Sequence, residues 1–199
     1  AAGKQSMATA DGTLVVVFNG EIYNYLELRA ELEREGFVFR TNSDTEVLLH
    51  GYRAWGTVLP TRLRGMFAFA IADVARHELF CARDRVGKKP FYWTDADGRF
   101  AFASEIKALH ALGISRKLRA DAVAQFFALR YVPDPITVFE GVHKLPPAHW
   151  CLVRDGKVRL QRYWEPPFDE VVEMPDAERQ DKALELLDEA TRIRLMGEV

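Results

Sequence analysis

Leu14-Val15-Val16-Val17-Phe18 is the first strong apolar run of the chain. Five large apolar residues in a row read as a short strand buried on both faces. Asn19-Gly20 at its end reads as a turn pair tolerant of positive φ. Tyr25, Leu28 and Leu32 then recur at helical spacing, with Gly36 as a natural stop. Ser43-Asp44-Thr45-Glu46 has the form of a capping box, Ser43 at the N-cap and Glu46 three residues on. It opens a helix whose buried face carries Leu48, Tyr52 and Trp55. Residues 66–72 are almost wholly apolar, which suits a central strand. Residues 78–83 and 91–94 read as further strands, and Asp97-Gly98 as the turn into a strand over 99–103. Ser104 and Asp121 look like N-caps of two more helices. Residues 148–154 and 157–164 form a hairpin around Asp155-Gly156.

Strands alternate with helices, yet several strands are joined by hairpins, so the pattern predicts an α+β protein with a mixed sheet. Three prolines and four acidic residues fall in 165–175, a linker composition. A long helix follows over 176–196, with Leu184, Leu187, Ala190 and Ile193 at mixed helical spacing. The expected organisation is a domain over 1–164, the linker 165–175, and a helix over 176–199 that begins something else.

Composition narrows the function classes. Of the 199 residues 48% are apolar and 28% charged, as in a soluble globular protein. A formal net charge of −2 offers no electrostatic footprint for nucleic acid or an anionic membrane. No apolar run approaches the ~20 residues that span a bilayer, and the opening Ala1-Ala2-Gly3-Lys4-Gln5 lacks the regions of a signal peptide. The two cysteines, Cys81 and Cys151, lie seventy positions apart in expected strands, so a disulfide framework is not anticipated and a cytoplasmic location is. They read as small apolar core residues. The five histidines show no metal-ligand spacing.

The candidate chemistry lies at the end of the first strand. Asn19 and Gly20 offer a side-chain amide and a backbone N–H at the mouth of a rigid element, which is what an oxyanion hole needs. Glu21 adds an acceptor-only carboxylate suited to an ammonium group. Asn-Gly taken alone reads first as a hairpin turn, and Asp44 also as an ordinary helix-start aspartate. Arg83, Asp84 and Lys88 around Gly87 read as a structural ion pair closing a corner, and Met66 reads as core.

The string Asn19-Gly20-Glu21-Ile22-Tyr23-Asn24 resembles the glutamine-binding segment of glutamine-hydrolysing asparagine synthetases, which are class II glutamine amidotransferases. Ser43-Asp44-Thr45-Glu46 is similar to the family's second glutamine-binding segment. Leu63-Arg64-Gly65-Met66-Phe67, Ala82-Arg83-Asp84-Arg85-Val86-Gly87-Lys88-Lys89-Pro90, Ala103-Ser104-Glu105-Ile106-Lys107, Tyr131-Val132-Pro133-Asp134-Pro135 and Lys144-Leu145-Pro146-Pro147 continue it in the family's order. The resemblance implies a four-layer α-β-β-α sandwich of the N-terminal-nucleophile hydrolase type followed by a linker helix. It implies glutamine as substrate, Asn19 and Gly20 as the oxyanion hole, and Glu21 with Asp44 as the clamp on the substrate ammonium. The family's nucleophile is an N-terminal cysteine whose own amine is the base. Position 1 here is Ala1 and the first cysteine is Cys81, so the chain reads as a fragment, inactive by itself. No cofactor is expected in it. ATP and magnesium belong to the synthetase domain expected in the same polypeptide, and the family commonly forms homodimers. A non-catalytic scaffold domain, or another class II amidotransferase, is the alternative.

Overall fold

Leu14, Val16 and Phe18 point to one side of the first long strand and Val15 and Val17 to the other, and that alternation sets the architecture. The first three are buried, whereas Val15 is 36% and Val17 39% exposed. The run is therefore a strand with one core face, not one buried on both. In the computed structural model, which describes residues 6–168 and 173–195, this strand is β2 (Leu14–Ile22), next to the short edge strand β1 (Ser6–Ala8). After β2 the chain runs through helices α1 (Tyr25–Arg34), α2 (Asp44–Trp55) and α3 (Leu59–Arg62). It returns as β3 (Gly65–Asp73) and turns back as β4 (Glu78–Arg83). Next come β5 (Tyr92–Thr94), β6 (Ala101–Ala103), α4 (Ile106–Ala111), α5 (Ala120–Leu129) and β7 (His143–Lys144). The hairpin β8 (His149–Arg154) and β9 (Lys157–Arg162) precedes the final helix α6 (Asp176–Arg192).

Two sheets result, one of six strands in the order β1-β2-β3-β4-β8-β9 and one of three in the order β6-β5-β7. Every strand pairing among the described residues is antiparallel, which corrects the mixed sheet expected from the alternation of elements. The reason is the excursion through α1–α3. It ends where β2 ended, pairing Ile22 with Gly65, so β3 has to run back along β2.

Three cores separate four layers. Leu28 and Leu32 of α1 with Leu48, Leu49 and Tyr52 of α2 cover the β2–β3–β4 face carrying Val16, Phe69 and Phe80. Between the sheets lie Ala68, Ala70, Cys81 and Cys151 against Phe91, Trp93 and Leu145. Leu109 of α4 closes the outer face of the small sheet with Ile114 and Val142. The layer order is α-β-β-α, as expected. The small sheet covers β3, β4 and β8 but not β2, which leaves Val15 and Val17 open. By contact density Ala1–Trp164 and Glu165–Val199 form two compact units, and α6 has no buried residue. Of the linker and final-helix expectations, 169–172 and 196–199 lie outside the described residues.

Local details depart from expectation where tertiary partners compete. Ser43 caps α2 through Thr45 N–H at 3.2 Å, but Glu46 does not complete the box. Its carboxylate turns to the incoming loop, accepting Arg40 N–H at 2.9 Å, Thr41 N–H at 2.8 Å and Thr41 Oγ1 at 2.7 Å. Ser104 and Asp121 are not N-caps either. Glu105 and Arg119 hold those positions without side-chain caps, because Asp121 pairs instead with Arg119 Nε at 2.9 Å. Asp97-Gly98 lies in a single 3-10 turn, Ala96–Gly98. Asp155 and Gly156, with φ of 49° and 70°, make the left-handed two-residue turn anticipated for the last hairpin. Among the described residues no helix is long and apolar enough to cross a membrane, and no His, Cys, Asp and Glu group is placed to hold a metal.

Candidate active site

Asn19-Gly20 is not a turn. β2 continues through both residues to Ile22, paired with β3 as Asn19 with Ala68 and Gly20 with Phe67. Ile22 is fully buried on the same face as Leu14, Val16 and Phe18, so Asn19 and Glu21 project from the opposite face, in line with Val15 and Val17. Asn19 borders a cavity of about 370 Å³ between the sheets, shared with Ser6, Val17, Ala68, Phe91 and Phe102.

Glycine is obligatory at position 20. Its φ is +153°, and a Cβ there would stand 2.1 Å from the Met66 carbonyl oxygen and 2.7 Å from Phe67 Cα. Phe67 directs both its backbone groups to the other side: its N–H donates to Asp84 Oδ2 at 3.2 Å, and its carbonyl accepts Asp84 N–H at 2.8 Å. Gly20–Phe67 is thus a non-hydrogen-bonded pair of the ladder, and the Gly20 N–H is directed away from β3. On that side β1 pairs only as far as Val17, opposite Ser6. Among the described residues no strand lies beside Gly20 to take its N–H.

Asp44, from the first turn of α2, reaches across to this strand. Its Oδ2 accepts the Ile22 N–H at 3.0 Å, which sets a second carboxylate one residue from Glu21. Its Oδ1 lies 3.5 Å from Ser43 Oγ and 3.4 Å from Thr45 Oγ1. The structure therefore brings all four anticipated residues, Asn19, Gly20, Glu21 and Asp44, to one end of β2.

Other residues singled out from sequence have structural roles. Arg83 is 9% exposed and does not pair with Asp84. Its guanidinium donates to the carbonyls of Gly87, Lys89 and Leu145 and pairs with Asp134 at 3.1 Å, tying three loops together. Asp84 accepts backbone N–H groups instead. Glu105 and Lys107 form an exposed ion pair with each other at 2.5 Å. Cys81 and Cys151 are free and fully buried, and they face each other across β4 and β8. Burial above all, then the adjacent Cys151, pushes the Cys81 thiol well above its usual range, the opposite of what a nucleophilic thiolate needs.

Asn24 was not singled out from sequence, and Asp84 was expected in an ion pair at its own corner and not in a bond to β3. Asn24 Nδ2 donates to the Arg62 carbonyl at 3.0 Å, and its Oδ1 accepts Arg64 N–H at 2.9 Å. Both residues sat inside motif strings, but the partners of Asn24 lie 38 to 40 positions away, and Asp84, which also bonds its own turn at Val86, Lys88 and Lys89, reaches Phe67 17 positions back, beyond any local signal.

An antiparallel α-β-β-α sandwich with polar donors at the end of an inner strand is the fold of the amidotransferases of the N-terminal-nucleophile class. Glutamine phosphoribosylpyrophosphate amidotransferase of Bacillus subtilis, solved with ADP and GMP, superposes with a TM-score of 0.59 at 21% identity, covering 83% of this chain and 34% of that one. Residues 1–164 match the glutamine amidotransferase domain, and the chain belongs to that family. It is 41% identical over 170 residues to asparagine synthetase [glutamine-hydrolyzing] 1 of Bacillus subtilis, covering 85% of this chain and 27% of that protein. Asparagine synthetase [glutamine-hydrolyzing] 3 of the same organism is 41% identical over 166 residues, 81% of this chain and 27% of that one. The chain thus spans little more than a quarter of these relatives' length.

Proposed function

We propose that residues 1–164 are the glutamine-hydrolysing part of a glutamine-dependent asparagine synthetase, releasing ammonia for the ATP-dependent amidation of aspartate. The observation that carries the reading is the convergence at the end of β2. A side-chain amide from Asn19 and an outward Gly20 N–H stand beside two carboxylates delivered by separate elements. Attack on the glutamine amide moves negative charge onto its carbonyl oxygen. Preorganised donors at Asn19 and Gly20 stabilise that charge as it forms. Glu21 and Asp44 hold the substrate's α-ammonium at the other end, so the amide is presented in one orientation. Neither cysteine of this chain can attack, since both are sealed between the sheets. The nucleophile in this reading is an N-terminal cysteine acting with its own amine as base. The synthetase part of the same polypeptide carries ATP and magnesium and consumes the ammonia, in the cytoplasm.

Glu21→Gln and Asp44→Asn test the clamp, in the polypeptide that carries this chain with its nucleophile. Each keeps size and removes charge, and asparagine at 44 still offers Ile22 N–H an acceptor. The carboxylates face a cation already present in the bound ground state, so binding suffers and the chemical step does not. KM for glutamine should rise about tenfold or more, since a charged hydrogen bond contributes roughly 1.5–3 kcal/mol, with kcat and ammonia-driven synthesis unchanged. A lower melting temperature at unaltered KM for Asp44→Asn would reduce that residue to a link between α2 and β2.

A further inference from the structure

Two side chains outside the substrate-facing set hold the stretch of β3 against which Asn19 and Gly20 are laid. Asn24 acts just before it. Its amide bonds the Arg62 carbonyl and the Arg64 N–H together, as a neighbouring strand would, and Tyr23 N–H adds a bond to the Arg64 carbonyl at 2.7 Å. Asp84 acts at the far end and is 1% exposed. Its Oδ2 accepts the N–H groups of Phe67 at 3.2 Å and Lys89 at 3.0 Å, and its Oδ1 those of Val86 at 3.2 Å and Lys88 at 2.8 Å.

Between the anchored residues Arg64 and Phe67 lie only Gly65 and Met66. The backbone of residues 65–67 runs beside that of Gly20, Glu21 and Ile22 in the same sheet. A Cβ at Gly20 would stand 2.1 Å from the Met66 carbonyl oxygen, and one at Gly65 would stand 2.2 Å from the Glu21 carbonyl oxygen. Residues 65–67 pair with Ile22, Glu21 and Gly20 along the β2–β3 ladder, with no room between the backbones for even a methyl group, so a shift of residues 65–67 has to move Gly20 as well. Oxyanion donors act on charge at a fixed point, and a displacement of about 1 Å can cost roughly 10²-fold in rate.

We propose that Asn24 and Asp84 are positioning residues for the oxyanion hole, fixing Gly65–Phe67 so that the Gly20 N–H and the Asn19 amide stand where the anion forms. Neither touches the substrate. The inference rests on the reading of Asn19 and Gly20 given above.

The test is a double-mutant cycle on glutamine hydrolysis in the polypeptide that carries this chain with its nucleophile. Asn24→Ala should lower kcat about tenfold or more while KM for glutamine stays within about twofold. In an Asn19→Ala background the same substitution should cost at least about threefold less, because part of what it misplaces is already gone. Equal costs in the two backgrounds would overturn the proposal, as would a lowered melting temperature with kcat intact. Asp84→Asn should behave alike, but it leaves four donors facing one amide oxygen and threatens folding, so Asn24→Ala decides. The underlying site reading fails by a different result, an Asn19→Ala protein with undiminished kcat.

Discussion

Gly20 shows how little room the site leaves. Alanine there meets the backbone of β3, the Met66 carbonyl oxygen at 2.1 Å and Phe67 Cα at 2.7 Å, at a φ of +153° that side chains rarely adopt. Backbone cannot give way as a side chain can, so β2 and β3 must part. Gly20→Ala should destabilise by on the order of 2–4 kcal/mol, read as a lowered melting temperature. Gly12→Ala is the control: its φ is +67° with nothing within 4 Å of a built Cβ, so only backbone strain of about 1–2 kcal/mol applies. Equal effects from the two would show that close approach to β3 is not what demands glycine. The need for positive φ at Gly20 was legible in the Asn-Gly pair. That the glycine lies inside a strand was not, because the obstacle is a carbonyl 46 positions away in sequence. The four residues of the site were legible only through the motif strings. Composition and spacing gave no means of deciding whether Asp44 capped a helix or reached across to β2, and it does the second while opening the first.

Helix α2 carries a pH dependence of its own. Burial opposes the charge on Glu46. Hydrogen bonds from Arg40 and Thr41, together with nearby His50, outweigh it and hold the carboxyl below its ordinary 4.5. His50 lies against Phe37 and Phe39, with ring centroids at 5.3 and 4.7 Å. Burial, helped by Arg53, holds its pKa below the ordinary 6.5 despite Glu46 beside it at 3.5 Å. Both signs make the fold acid-labile, in sequence. As pH falls below 6.5 the unfolded chain takes up the His50 proton first, so stability drops until the folded pKa is reached. The stability from ionised Glu46 is present above 4.5 and is lost as pH falls through its lower folded value. Thermal unfolding should therefore shift downward between about pH 7 and pH 5. His50→Phe should flatten that limb and leave the Glu46 limb in place. An unchanged upper limb would remove His50 from the account. The helix was legible, as were α1, β4 and the last hairpin, because each follows local periodicity or turn chemistry. The incomplete capping box was not, since Arg40 and Thr41 compete for Glu46.

The sheets are antiparallel because the α1–α3 excursion returns the chain to the end of β2 that it left. Cys81 and Cys151, read as unrelated core residues, prove to be direct cross-strand partners. Register between strands seventy positions apart is set by packing and leaves no trace in either segment. The same packing brings β2, α2 and β3 together at one end of the large sheet, next to the cavity between the sheets. The central claim is that this end hydrolyses glutamine for a synthesis performed elsewhere in the polypeptide. Asparagine formation by the Asn19→Ala polypeptide, driven in parallel by glutamine and by free ammonia, tests it most directly. Loss of one oxyanion donor should cut the glutamine-driven rate by roughly 10²–10³, with the ammonia-driven rate unchanged. Equal loss from both nitrogen sources, or from neither, would contradict the account.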